Sequence, residues 1–301
     1  MPTFLEISTL VVELISILIT FPGYMFILVV NILDWMKNKR LDISDQLISG
    51  ISLILLIHRF LLVIVHFIVI TKENHANVLN VLSITLLYLS IMLCTLLFST
   101  WLAIHFCLKI VNINHKLYIY IQRKFPKMFP WILLLSIVAS FLVSSPAALR
   151  LSHEPSLNST QSLQDPDFID LDLLFYAPYI VFSSLCLLLF SGSALNIVLS
   201  LYRHIKQIHN NNVQLSAQIV QAHVTAMKTI LSLLAYNLFF IALLASLIVR
   251  LVFKQWSSAF PFLYALYHFL GIAILIRASS KLQKKLHSIW VICSPLEKAL
   301  T

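Results

Sequence analysis

Few residue types in this chain are spaced to do chemistry. Histidine is the most abundant candidate, with 11 in 301 residues. His58 and His66 stand eight apart, which puts them on one face of a helix. A zinc site needs further His, Cys or carboxylate ligands, and none is spaced to complete that pair. No glycine-rich nucleotide loop, serine elbow or pair of carboxylates inside an apolar run is present. Cys94, Cys107 and Cys186 lie inside apolar runs and Cys293 near the end, so no disulfide framework is implied. The expectation is a non-enzyme with no metal and no cofactor.

Arg59 is the notable ionisable residue, because it stands in the middle of an apolar run. Such residues face the protein interior and often serve function. Glu13 is a candidate partner, although its level along the helix axis lies about 12 Å from that of Arg59. Arg59 reads either as a polar lock or ligand contact, or as a structural hydrogen-bond anchor.

The elements that must position these groups follow from composition. The chain is 59% hydrophobic and 11% charged, with a mean hydropathy of +0.91. Soluble domains carry about 25% charged residues. A disordered chain, a nucleic-acid-binding arm and a soluble globular domain are therefore excluded. Apolar runs cover about 7–33, 46–71, 78–108, 129–151, 173–201, 226–252 and 258–277. Each is near or above the roughly 20 residues a helix needs to cross hydrocarbon, and far longer than a barrel strand of about 10. The chain reads as a single all-α membrane domain over 1–301, a bundle of seven transmembrane helices. No internal repeat of the kind built into many transporters is visible.

The net charge of +9 is unevenly placed. Sixteen Lys and Arg residues fall in the connectors 34–45, 109–128 and 202–228 and in the end segment, against four in the alternate connectors. The positive-inside rule makes the sixteen cytoplasmic, with the N-terminus outside. Glu6 and Glu13 near the start argue against a cleavable signal peptide. The connector 152–172 on the predicted outer side carries Asn158-Ser159-Thr160, the one glycosylation sequon. Beyond the seventh run, 280–292 reads as an amphipathic helix, with Leu282, Leu286, Ile289 and Trp290 opposed to Lys281, Lys284 and Lys285. It should lie on the inner membrane surface against anionic lipid.

Several blocks carry a family resemblance. They are Asn31 to Trp35, Leu108-Lys109-Ile110 and Asn112 at the end of the third run, His223 to Thr229 at the start of the sixth, and Ser280 to Lys284. Together they resemble taste receptor type 2 proteins, the bitter-taste receptors, along all seven runs. The Asp-Arg-Tyr-like triplet, the Cys-Trp-x-Pro and Asn-Pro-x-x-Tyr motifs of ordinary rhodopsin-like receptors are absent. The chain also departs from the taste receptor pattern. Tyr24 stands for a first-helix asparagine, Leu55 for a second-helix arginine, and Gly271-Ile272 for a His-Ser pair. Arg59, one turn beyond Leu55, would substitute for the missing arginine by reaching down a turn.

The resemblance implies a G-protein-coupled receptor at the plasma membrane, activated by small, partly apolar bitter agonists. It places His66, Tyr88, Met92, Tyr236, Phe239, Tyr264 and His268 at the ligand cavity. It places Lys109, Asn112, His115, Tyr118, Arg123, His204, His223 and Lys228 toward a gustducin- or Gi-type heterotrimer. Pro178 matches the proline of the fifth helix, and the sequon the family's second outer loop. Oligomers are compatible with this reading, and nucleic acid is not a partner. A vomeronasal type 1-like pheromone receptor is the neighbouring alternative. A small-solute transporter or channel is the alternative of another class.

Overall fold

A backbone in hydrocarbon must satisfy its own hydrogen bonds, and the long apolar runs do so as helices. The computed structural model describes residues 4–71, 78–111, 116–153, 166–210, 217–253, 260–288 and 291, all but a few of them helical. The helices are α1 (Phe4–Asn38), α2 (Ile43–Thr71), α3 (Val78–Ile110), α4 (Lys116–His153), α5 (Pro166–Asn210), α6 (Ala217–Phe253) and α7 (Phe260–Ala278). A short α8 (Ser280–Ser288) follows at 102° to α7. No strand occurs among the described residues.

α1 to α6 each contain a stretch long and apolar enough to cross a membrane. α7 has 19 residues, about 28 Å at 1.5 Å per residue, which is close to the thickness of a hydrocarbon core. Most helices outrun the apolar runs at both ends, because amphipathic flanks continue the hydrogen-bond ladder beyond the apolar part. Proline does not break them. Pro22 stays within α1, Pro126, Pro130 and Pro146 within α4, and Pro178 within α5. Neighbouring helices and local adjustments re-satisfy the carbonyls such prolines free.

Consecutive helices pack against each other, and α7 closes the ring on α1. α3 also packs against α5, so it is the most enclosed helix. The outer wall is apolar: Leu18, Trp131, Leu135 and Leu188 are each more than two-thirds exposed. Water would not tolerate that wall, and lipid suits it. The interior holds small polar side chains. The hydroxyls of Thr20, Ser52, Ser99, Thr100 and Ser140 donate to the carbonyl four residues back, which satisfies them without a partner helix.

The basic connectors gather at one end, called the basic end below. There α1 stops at Lys39, whose φ of 54° is the left-handed conformation that ends many helices. The Lys39 amide donates to the Trp35 carbonyl at 2.7 Å, and its ammonium lies 5.7 Å from the Trp35 ring. α3 is capped from α4. The Tyr118 hydroxyl meets the carbonyls of Cys107 and Val111, both at 2.9 Å, and the Gln122 amide donates to the Leu108 carbonyl at 2.8 Å. Last-turn carbonyls of a helix run short of internal partners, and these side chains supply Leu108 and Val111 with one, while Cys107 also accepts from the Val111 amide at 2.9 Å.

Candidate functional site

The interior between α1, α2 and α7 concentrates the buried ionisable and aromatic groups. Arg59 is buried, and so is its partner Glu13. Its guanidinium donates through one terminal nitrogen to the Glu13 carboxylate and through the other to the Ser16 hydroxyl. The guanidinium carbon also lies 5.6 Å from the centre of the Tyr264 ring. The offset expected between Arg59 and Glu13 is thus bridged by the length of the arginine side chain. It climbs toward the first half of α1, rather than reaching down a turn toward Leu55. A charge in hydrocarbon goes where its counter-charge and hydroxyl are.

Beside Arg59, the His58 ring hydrogen-bonds the Tyr264 hydroxyl and lies 5.0 Å from the ring of Tyr88. The Tyr264 hydroxyl also approaches the Met92 sulfur at 3.8 Å. Next on α7, His268 shares a 3.0 Å hydrogen bond between its Nδ1 and the Tyr24 hydroxyl. With that hydroxyl donating, the neutral ring carries its proton on Nε2. Nε2 has no protein partner, nor does Nε of Arg59. Tyr236 on α6 stacks on Tyr267 with centroids 4.5 Å apart and planes at 7°, and Phe239 adjoins the same ring at 6.3 Å.

Six of the seven expected ligand positions therefore meet. Tyr88, Met92, Tyr264 and His268 gather around His58, and Tyr236 and Phe239 join them through Tyr267, which lies 5.3 Å from His268. The seventh, His66, lies on α2, with its side chain outside the described residues. Sequence reasoning missed the two connecting residues. Tyr264, Tyr267 and His268 stand at i, i+3 and i+4, the spacing of one helix face, which was the signal for Tyr267. His58 could have been found from its adjacency to Arg59.

At the basic end, Lys109, Arg123 and Lys228 are exposed. Tyr118 is half-buried and occupied in capping α3. His204 lies on α5 and His223 on α6, with side chains outside the described residues. Asn112, His115 and Asn158 lie outside the described residues altogether. Pro178 is on the outer face of α5.

α8 is tied to the basic end by one lysine. The Lys281 ammonium donates to Asp34 at 3.0 Å and to Asp45 at 2.7 Å, and the Ser279 hydroxyl donates to Asp45 at 3.2 Å. Burial alone would lower the Lys281 pKa, but the hydrogen bonds and charges of Asp45 and Asp34 outweigh it and raise it. A raised lysine pKa contributes stability below about 10.4, the unfolded value, and loses it as pH rises through the folded value. The Lys281 ammonium is therefore fully charged at neutral pH.

A closed ring of seven helices with an apolar outer wall, a buried polar and aromatic interior and a basic end defines a seven-helix membrane bundle. The family model described as "Taste receptor protein (TAS2R)" matches residues 1–294. The chain belongs to the taste receptor type 2 family, which is not a family of enzymes. It is 30% identical over 205 residues to taste receptor type 2 member 41 of Pan paniscus, covering 63% of this chain and 64% of that one. It is 24% identical to member 140 of Rattus norvegicus over an alignment of 320 positions, covering 98% and 97%. Member 8 of Pongo pygmaeus is 27% identical over 239 residues, with 75% of each chain covered. The match to the first of these spans just under two thirds of its length.

Proposed function

We propose that the chain is a bitter-taste receptor of the plasma membrane that couples small, partly apolar agonists to a gustducin- or Gi-type heterotrimer. The single observation that carries the ligand reading is the aromatic cluster with buried polar nitrogens that no protein group satisfies. Nε2 of His268 and Nε of Arg59 are buried without protein partners, beside the rings of Tyr264 and Tyr267. Binding sites combine apolar walls with a few polar groups that fix orientation. Buried donors without partners cost stability, and an agonist carbonyl, ether or hydroxyl oxygen would satisfy them. Glu13 is already committed to Arg59, so no free acid lies beside the cluster among the described residues to select an amine.

The basic end faces the cytoplasm in this reading. Lys109, Arg123 and Lys228, with Asn112, His115, His204 and His223, lie at or near the surface offered to the heterotrimer, and Tyr118 holds the end of α3 in shape. Agonists act by favouring the conformation in which the basic ends of the helices admit the G protein. Asn158 carries the glycan on the opposite side.

The test is a bitter-compound panel read by calcium release in cells that supply a coupling G protein. At least one compound is expected to give a saturable response. For that compound His268→Phe, which keeps the ring and deletes the donor, is expected to raise the EC50 about tenfold. That is the effect of one hydrogen bond of about 1 to 1.5 kcal/mol. Unchanged EC50 with normal surface staining would remove His268 from the ligand site.

A further inference from the structure

α5 carries a polar side chain that the bundle leaves facing hydrocarbon. Other polar side chains in the spans satisfy themselves on their own helix. Ser184 and Ser193 on α5, and Ser232 and Asn237 on α6, each donate to the carbonyl four residues back. Asn196 does not. It is exposed on the outer side of α5, and no hydrogen bond among the described residues reaches it. Tyr202, also exposed, stands closer to the basic end, where tyrosines mark the headgroup level. Asn196 lies six residues deeper, about 9 Å at 1.5 Å per residue. Its side chain is too short to reach the interface from there, and an amide in hydrocarbon without a partner is costly.

The surface around Asn196 admits a close neighbour. Gly192, one turn away on the same face, is exposed, and no neighbouring group lies within 4 Å of the place a Cβ would take. Packing inside this bundle does not require a glycine there, and glycine within a helix costs stability relative to other residues. What the missing side chain permits is the approach of a second backbone from outside. Leu188, Leu189, Leu195 and Leu199 flank the pair, all of them exposed.

We propose that Gly192 and Asn196 are the centre of a contact between two copies of this chain, packed α5 against α5 about a twofold axis along the membrane normal. Such an axis brings identical residues of two parallel helices together at one depth. A carboxamide both donates and accepts, so the two Asn196 side chains satisfy each other. Lipid does not fill that role. At this depth a phospholipid presents only acyl chain, and a sterol hydroxyl sits at the headgroup level. The contact requires only a membrane-spanning chain, whatever agonist or G protein that chain serves.

The test is energy transfer between donor- and acceptor-labelled full chains in phosphatidylcholine proteoliposomes, with no agonist and no G protein, as the ratio of chain to lipid is varied. The wild type is expected to give transfer that saturates well above random proximity. N196L is expected to weaken association about tenfold, equivalent to about 1.4 kcal/mol, which lies in the range of polar pairs between membrane helices in model peptides. G192L is expected to weaken it at least as much, because the added side chain holds the two backbones apart. L135A, at an exposed leucine of α4, is expected to change nothing. Both α5 variants are expected to melt at the wild-type temperature, since neither position packs inside the bundle. Should N196L melt lower, G192L alone decides. Wild-type transfer no higher than random proximity, or equal association of wild type, N196L and G192L, would overturn the contact. A loss in L135A equal to that in N196L would place the contact on another face. Cholesterol binding that N196L abolishes, with association unchanged, would assign the amide to a sterol instead.

Discussion

Glu13→Gln is expected to cost about 3–5 kcal/mol, because removing one member of a buried ion pair strands the other charge. Arg59 is 1% exposed and its remaining named partner is the Ser16 hydroxyl, which carries no charge. The predicted result is a protein that melts well below the wild type in detergent and reaches the cell surface poorly. Glu13→Gln combined with Arg59→Met removes both charges, and replacing a buried pair by apolar groups is often neutral or stabilising. The double variant is therefore expected to recover most of the melting temperature. Its agonist response then separates the two readings of the pair. A structural anchor predicts normal signalling from the double variant, and a lock predicts altered basal activity. A single Glu13→Gln variant as stable as the wild type would show that the ion pair holds nothing together.

The second large effect is expected at Gly271. A methyl group there would lie 2.6 Å from the Tyr236 hydroxyl and 3.1 Å from its Cζ. Tyr236 has little room to yield, being 4% exposed and stacked on Tyr267. Overpacking of this kind costs about 1–3 kcal/mol. Gly271→Ala is expected to lower the melting temperature, and adding Tyr236→Phe to recover part of the loss by deleting the closest atom. If Tyr236→Phe deepens the loss in that background, the close approach of α6 to α7 is not what the glycine serves. Gly271→His, which restores the residue expected from the family pattern, should be worse than alanine because a whole ring must enter the same space.

That result bears on the departures from the family pattern that the resemblance implies. Three of the departures fall on one seam of α1 and α7. Tyr24 bonds His268, a Cβ at Gly23 would lie 2.7 Å from the Ile272 side chain, and Gly271 admits Tyr236 from α6. A change at any one of these positions alters the space available to the others. The replacement of a His-Ser pair by Gly271-Ile272 is matched on the facing helices, where Tyr236 occupies the space at Gly271 and Gly23 leaves room for Ile272. The fourth departure, Leu55, is buried with the core, and Arg59 makes its contacts elsewhere.

The architecture was legible because lipid imposes one rule on every span, and apolar length shows it directly. The turn at Lys39 and the caps from Tyr118 and Gln122 were not, since each depends on which chain end faces which, whereas the amphipathic pattern after the seventh run already turned α8 away from the span. The candidate ligand cluster was legible at six positions through resemblance, but not the roles of His58 and Tyr267, which act between positions. The Arg59 pairing was half visible. Residue types suggested Glu13, while axial height argued against it, because height ignores the reach of a long side chain. Lys281 looked like one of three equivalent lysines. Only the convergence of Asp34, from the end of α1, and Asp45, from the start of α2, separates it from Lys284 and Lys285.

The central claim is that this seven-helix chain is a ligand-activated receptor for a heterotrimeric G protein. Its most direct test uses the purified chain in lipid nanodiscs with a purified gustducin- or Gi-type heterotrimer and an agonist found in the cell panel. The prediction is agonist-dependent exchange of guanine nucleotide on the G protein, lost when the receptor is omitted. Absence of exchange, together with flux of the same compound through proteoliposomes that contain the chain and no G protein, would contradict it.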